Sequence, residues 1–202
     1  MTIVFSTPLF AQEEEEEYPD EESPIEPDWD IYAPDLYSRG DQVFVISLGV
    51  IFPTVFFGKS GVITHNVNVV GGAGSLGYNY FFGSHVFAGV EVGGMFAGTV
   101  AAQMNQMLYI IPVVFRGGYQ FIFRRFEFPL SFAVGFASQR YLEEGHFGLI
   151  LKPEASAYFR FSPDWSFGLN GAWWWVPQWT DDSSKKIYGN FFELTLSARY
   201  HF

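Results

Sequence analysis

The sequence predicts an all-β protein: an eight-stranded antiparallel up-and-down transmembrane β-barrel preceded by a disordered acidic N-terminal tail. Three observations carry that expectation. The 202 residues include 24 Phe, 11 Tyr and 6 Trp, and only 16% of the chain is charged; burying so many large rings needs more interior than one water-soluble domain of this size offers. Apolar residues recur with period 2 in eight segments, the spacing of strands with two unlike faces. The connections between those segments alternate between short turns and longer polar stretches, which is the asymmetry of a barrel that crosses a membrane.

The chain divides into residues 1–12, 13–40 and 41–202. In the first part Ile3, Val4, Phe5, Leu9 and Phe10 form an apolar stretch ending at Ala11, and it reads as a truncated signal-peptide remnant, without the positive n-region. Residues 13–40 combine Glu13 through Glu17 and further acids with Pro19, Pro24, Pro27 and Pro34. Such a stretch buries too little apolar surface to offset its ordering entropy. It is expected to be a periplasmic tail, tacked to the folded part by Trp29, Tyr32 and Tyr37. Residues 1–38 hold 12 acids and no Lys or Arg, which leaves 10 acids against all 11 bases in the remainder. The net charge of -11 therefore belongs to the tail, which is suited either to repel collapse onto the barrel mouth or to bind a cationic periplasmic partner.

The strands follow in order. Phe44, Ile46, Leu48, Val50 and Phe52 share a face opposite Ser47 and Gly49. Leu76, Tyr78, Tyr80 and Phe82 oppose Ser75, Gly77 and Asn79, and Val86, Ala88, Val90 and Val92 oppose His85, Gly89 and Glu91. Tyr109, Ile111, Val113, Phe115, Tyr119 and Phe121 oppose Arg116 and Gln120; Phe128, Leu130, Phe132, Val134 and Phe136 oppose Ser131, Ala133 and Gly135. Leu149, Leu151, Ala155, Ala157, Phe159 and Phe161 oppose Lys152, Glu154, Ser156, Tyr158 and Arg160. Trp165, Phe167, Leu169 and Trp173 oppose Ser166, Gly168 and Asn170, and Phe192, Leu194, Leu196, Ala198, Tyr200 and Phe202 oppose Glu193, Thr195, Ser197, Arg199 and His201.

Short turns are predicted at Gly83-Ser84, Arg124-Arg125 and Ser162-Pro163-Asp164, and longer loops at 57–66, 97–107, 141–147 and 177–188. Eight strands over residues 41–202 leave about 20 residues for each strand and its connection, enough for about 9 to 11 membrane residues per strand. An even number of strands returns both termini to the periplasmic side and puts the long loops outside the cell.

Seven charged residues, Glu91, Arg116, Lys152, Glu154, Arg160, Glu193 and Arg199, fall on the polar face. On a lipid-facing surface an Arg or Lys at mid-bilayer costs about 2 to 4 kcal/mol, so that face is the lumen. The interior of an eight-stranded barrel is just wide enough for side chains to fill, and the seven are expected to form a plug of ion pairs. Trp173, Trp174, Trp175 and Trp179 near one rim, and Tyr78, Tyr80, Phe82, Phe121, Phe123, Phe126 and Phe128 near the short turns, form two girdles at the membrane interfaces.

Other classes fit poorly. The absence of Cys removes disulfides, thiolate metal sites and thiol nucleophiles. The 24 residues between Glu91 and Arg116 carry no charge, but Gly93, Gly94, Gly98, Gln103, Asn105, Gln106 and Pro112 do not suit a membrane helix. No basic footprint suggests nucleic acid. Gly71, Gly72, Gly74 and Gly77 precede no helix pattern and make no phosphate loop. Glu143, Glu144 and His146 are the one local cluster suited to a weak divalent-cation site; a solvated loop is the plainer reading. No cofactor is expected.

The C-terminal stretch Phe192 to Phe202, with its alternating apolar residues and Tyr200 ahead of Phe202, resembles the terminal-strand signal that outer-membrane barrels present to their assembly machinery. Residues 41–202 resemble the small eight-stranded outer-membrane barrels typified by OmpX, OmpW and the OmpA barrel, and the acidic tail with aromatic-rich strands is most similar to the OmpW-like barrels of spirochaetes. The resemblance implies a monomer in the outer membrane of a diderm bacterium. Its partners would be outer-membrane lipids and the barrel-assembly machinery. Its role would be membrane-structural or surface-interaction, or, as in OmpW-like members, a narrow channel for small hydrophobic molecules. A lipid-modifying enzyme of the deacylase kind needs a His and a Ser two apart on one strand with a nearby acid, which His65, His85, His146 and His201 do not supply, so the protein is not expected to be an enzyme.

Overall fold

The computed structural model describes residues 37–58, 61–63, 70–101, 104–141, 144–178 and 187–202. The expected signal remnant, most of the expected tail, Trp29 and Tyr32 lie outside them. Nine strands follow one another: β1 (Gln42–Gly58), β2 (Gly61–Ile63), β3 (Gly71–Phe81), β4 (Val86–Ala101), β5 (Met104–Phe123), β6 (Phe126–Tyr141), β7 (Glu144–Arg160), β8 (Trp165–Gln178) and β9 (Ile187–His201). Eight of them form a closed antiparallel barrel: β1 pairs with β3 on one side and with β9 on the other, so that Ser47 faces both Ser75 and Ser197. The extra strand β2 folds back on the far end of β1, pairing Val62 with Phe57. Closure leaves no unpaired edge around the barrel wall, which is how a sheet survives in lipid.

The period of two has the physical result it should. Phe44, Ile46, Leu48, Leu76, Phe115, Phe132, Leu169 and Leu196 point outward and are exposed, whereas Val45, Glu91, Arg116, Ala133, Lys152 and Arg199 point inward and are buried. The short turns fall where the sequence places them. That at Arg124-Arg125 joins Phe123 to its partner Phe126, and Arg124 takes φ 54°, the left-handed conformation that tight hairpin loops require.

At the opposite end the sequence-based boundaries need correction. Strands β4 and β5 run on to Ala101 and Met104, and β6 and β7 to Tyr141 and Glu144, so the expected loops 97–107 and 141–147 are mostly paired hairpin. Ladder bonds join backbone to backbone and continue through polar side chains once the strands stand clear of lipid. The expected loop 57–66 contains β2, and the loop 177–188 gives up residues at both ends to β8 and β9, with 179–186 outside the described residues.

Prolines interrupt the wall on one side each. Pro112 pairs with Ala137 of β6, but toward β4 the ladder lapses between Val92 and Met95. Pro129 and Pro153 likewise pair toward β5 and β6, while the β6–β7 and β7–β8 ladders lapse beside them. Proline has no N–H to give and satisfies only one neighbour. Glycine serves close approach at Gly49 and Gly135, where a Cβ would run into the backbone carbonyls of Leu194 and Val113. The bulge in β1 between Pro53 and Phe56 is held by Asn190, whose Nδ2 donates to the Val55 carbonyl at 3.0 Å and whose carbonyl accepts from Thr54 Oγ1 at 2.9 Å.

Candidate functional site

The interior of the barrel is packed in three levels. Nearest the long hairpins is an apolar layer in which Ile51, Met95, Ile110, Ile150 and Phe191 are buried together. Below it lies a cluster whose charged groups come from four strands. Lys152 Nζ sits 2.6 Å from Glu91, 3.1 Å from Glu154 and 3.2 Å from Glu193. Arg116 is 2.8 Å from Glu91 and 3.6 Å from Glu154, and Ser131 Oγ donates to Glu154 at 2.9 Å. Three carboxylates against two cations leave this level at -1.

One level nearer the short turns is a second cluster, centred on Glu127. Its carboxylate is 3.3 Å from Arg199 and 3.7 Å from Arg160, and it accepts hydrogen bonds from Gln120 Nε2 at 3.3 Å and from the Tyr37 hydroxyl at 2.7 Å. Arg199 also donates to Gln120 Oε1 at 3.1 Å and lies 3.6 Å above the Tyr158 ring. Two cations against one carboxylate leave this level at +1, which balances the level above. Charges removed from water cost several kcal/mol each unless paired and hydrogen-bonded, and the two clusters supply those partners within a width that only side chains can fill.

All seven charged residues singled out from the sequence line the lumen, five in the upper cluster and two in the lower. Glu127 was missed because the alternation of its strand was read from Phe128 onward, although the same period extended by one residue places it inside.

Trp174 requires a correction. Placed with the rim girdle by proximity in sequence, it turns inward, where its Nε1 donates to Glu193 at 2.5 Å and its ring lies 5.1 Å from Lys152 Nζ. Its neighbours Trp173 and Trp175 face outward, as successive strand residues must, and Trp173 Nε1 donates to Asn190 Oδ1 at 3.1 Å. Trp179 lies outside the described residues. Tyr78, Tyr80 and Phe82 stand on the outer face near the short turns: Tyr80 and Phe82 meet edge to face at 5.1 Å, and Tyr78 lies 6.4 Å from Phe202. Tyr200 and Phe202 also point outward and stack at 5.9 Å.

The short-turn mouth is occupied by Tyr37, which precedes the first strand. Tyr37 is buried with its ring stacked 4.1 Å from Phe81, and burial holds its phenol well above the usual value, with the Glu127 carboxylate adding to the shift. It therefore remains a donor. Both ends of the barrel lie here, since Gln42 N donates to the Phe202 carbonyl at 3.2 Å. Beside them His201 Nε2 and Ser166 Oγ are 2.8 Å apart, a serine-histidine contact made across two strands that no sequence spacing shows. Ser166 is wholly buried, and the contact ties β8 to β9 at the strand ends. Of the cation-site candidates, Glu143 lies outside the described residues, and positions 144 and 146 belong to β7 instead of a loop. Among the described residues no group of three or more His, Asp or Glu is placed to hold a metal ion.

Eight long antiparallel strands, an apolar outer face and an inner face of buried polar, charged and small apolar side chains define the fold of the small eight-stranded outer-membrane barrels. The chain belongs to the protein family whose model matches residues 17–200. It is similar to an uncharacterized protein of Treponema pallidum (strain Nichols), with 26% identity over 205 residues, covering 96% of this chain and 90% of that protein. Among solved structures it is similar to Neisserial surface protein A, with a TM-score of 0.54 and 12% identity over 81% of this chain and 97% of the other. It is also similar to Ail, the attachment invasion locus protein of Yersinia pestis, with a TM-score of 0.51 and 11% identity over 81% of this chain and 99% of the other. At these identities the two structures share a fold with this chain.

Proposed function

We propose that the protein is an outer-membrane barrel with a membrane-structural or surface-interaction role, its tail and both termini in the periplasm and its long hairpins at the cell surface. The observation that supports this reading is what lines the lumen: buried apolar side chains toward the hairpins, then the -1 cluster, the +1 cluster and the Tyr37 ring, one below another. Such a barrel contributes its outer wall to the bilayer and its hairpins to whatever lies outside. Two barrels of similar fold bear names that speak of the surface and of attachment, and that is the kind of role proposed here. Tyr200, on the outward face of the last strand, and Phe202, just past its end, serve as the signal to the assembly machinery. Planar-bilayer recording of refolded protein tests the sealed lumen: absence of conductance and of solute flux is expected, and steady conductance would overturn it.

A second reading, a narrow channel for small hydrophobic molecules, is favoured by the apolar layer toward the hairpins, where Ile51, Met95, Leu108, Ile110 and Phe191 would offer such a molecule its first contacts. Uptake of a small apolar solute into vesicles at a rate that depends on the protein would support it. Membrane fractionation combined with heat-dependent gel mobility tests the location and the barrel at once, and a helical circular dichroism spectrum or solubility without detergent would refute both readings.

A further inference from the structure

Tyr37 belongs to no strand, yet its ring is 2% exposed and is held by four different strands. Phe81 of β3 stacks on it at 4.1 Å, Glu127 of β6 accepts its hydroxyl at 2.7 Å, the Arg160 guanidinium of β7 lies 5.0 Å from the ring centre, and the His201 ring of β9 packs at 5.5 Å. We infer that the short-turn mouth is a receptor for a phenolic ring and that Tyr37 is its resident, removable occupant, a stopper carried on the segment ahead of β1.

The receptor is a property of the barrel and the occupant is not. Every group that touches the ring has its own place in the wall or in the lower cluster. Tyr37 is joined to β1 through a turn in which Asp41 Oδ2 accepts from Ser38 N at 2.7 Å and Gly40, at φ 109°, donates to the Phe81 carbonyl at 2.9 Å. No ladder bond holds the ring itself. Next to it a cavity of about 230 Å³, lined by Tyr37, Asp41, Arg160 and His201 among others, opens at the mouth, so the ring has room beside it into which it can withdraw. With the ring gone, Glu127 loses the hydroxyl that meets it from the mouth. The geometry is also selective: a flat face is needed for Phe81 and the arginine, and a hydroxyl for Glu127, which a phenol supplies and an aliphatic group does not.

The chain has no Cys, so a single introduced thiol reports access without background. Ser197 points inward above the stopper, within 2.7 Å of Ser47, and Ala137 sits in the apolar layer at the other end. Full-length protein carrying Ser197→Cys or Ala137→Cys is refolded in detergent micelles, its barrel state checked by heat-dependent gel mobility, and labelled with a small cationic thiosulfonate. Adding Tyr37→Ala is expected to speed labelling at position 197 at least tenfold and to leave position 137 protected, and p-cresol in excess is expected to restore the slow rate at 197. Asp41→Ala, which frees the turn and leaves both ring and receptor intact, is expected to give a smaller acceleration at 197 that p-cresol also reverses. An unchanged rate at 197 in both variants, equal acceleration at 197 and 137, or failure of p-cresol to protect would each overturn the stopper.

Discussion

Lys152 is the point at which the upper cluster is most exposed to test. Its ammonium is within 3.2 Å of three carboxylates and 5.1 Å from the Trp174 ring. Lys152→Met preserves most of the volume and removes the charge, taking that level from -1 to -2 and leaving Glu193 with the Trp174 N–H as its remaining described contact. Breaking a buried ion pair by deleting one partner costs about 3 to 5 kcal/mol, because the other charge stays buried and uncompensated. At about 1.4 kcal/mol per factor of ten, the folding equilibrium shifts by roughly two to three orders of magnitude or slightly more. The assay is urea titration of protein refolded into lipid vesicles, followed by tryptophan fluorescence and by gel mobility of unheated samples. A second substitution sharpens the reasoning: Glu193→Gln in the Lys152→Met background removes the stranded charge while keeping an acceptor for Trp174, and should recover part of the loss. The two changes then couple, as contacting residues do. Exposed Arg140, changed to Gln, should leave the midpoint where it was. A Lys152→Met midpoint equal to that of the parent, or a double variant whose loss is the sum of the two single losses, would refute the claim that this lysine holds the cluster together.

Three further outcomes are expected. Leu196 points outward at 70% exposure near the middle of β9, and Leu196→Arg should cost about 2 to 4 kcal/mol in a bilayer; comparison of vesicle refolding yields checks it, and equal yields would argue against lipid on that face. Gly135→Ala should lower the refolding yield and the urea midpoint, since the new Cβ meets the Val113 carbonyl and a backbone atom cannot step aside; an unchanged midpoint would show that the strands part there at no cost. Alkaline pH should loosen the stopper. The docked Tyr37 phenol is held above its ordinary value of 10.0, so docking is at full strength below that pH and weakens as pH rises above it, where the released phenol ionises first. Ser197→Cys protein with Tyr37 intact should therefore gain access at position 197 between pH 9 and 11 (a range set by about one unit either side of the free phenol), and the same protein carrying Tyr37→Phe, which has no ionising group there, should not.

The barrel was legible because lipid and lumen demand opposite chemistry from successive residues. Phe192 to Phe202 alternates without a slip, and two of the three short turns, Gly83-Ser84 and Ser162-Pro163-Asp164, carry usual turn residues. Lys152, Glu154 and Arg160 fell on the inner face for the same reason. Trp174 shows that the signal was there even where proximity in sequence obscured it, since period 2 turns the middle of three tryptophans away from its neighbours. The hairpin ends were harder to read: once the strands leave the membrane no apolar face is required, and Gln103, Asn105 and Gln106 look like loop whether or not their backbone is paired. The contact between Tyr37 and Glu127 joins residues 90 positions apart and depends on how β3, β6, β7 and β9 converge at one mouth, which no local pattern encodes.

The division of this chain into an apolar coat and a polar filling also bears on how it can drift. Lipid chains conform to any outline, so a Phe, Leu or Val on the wall can be exchanged for another of its kind with little penalty, and any of several dozen outward positions is open to such exchange. Lys152 cannot change without Glu91, Glu154 and Glu193 changing with it. Two descendants of one such ancestor could therefore come to share few of their hydrophobic letters while retaining the same handful of charged and hydroxyl-bearing ones, and the tally of identical residues would then understate how much of the machine had been inherited.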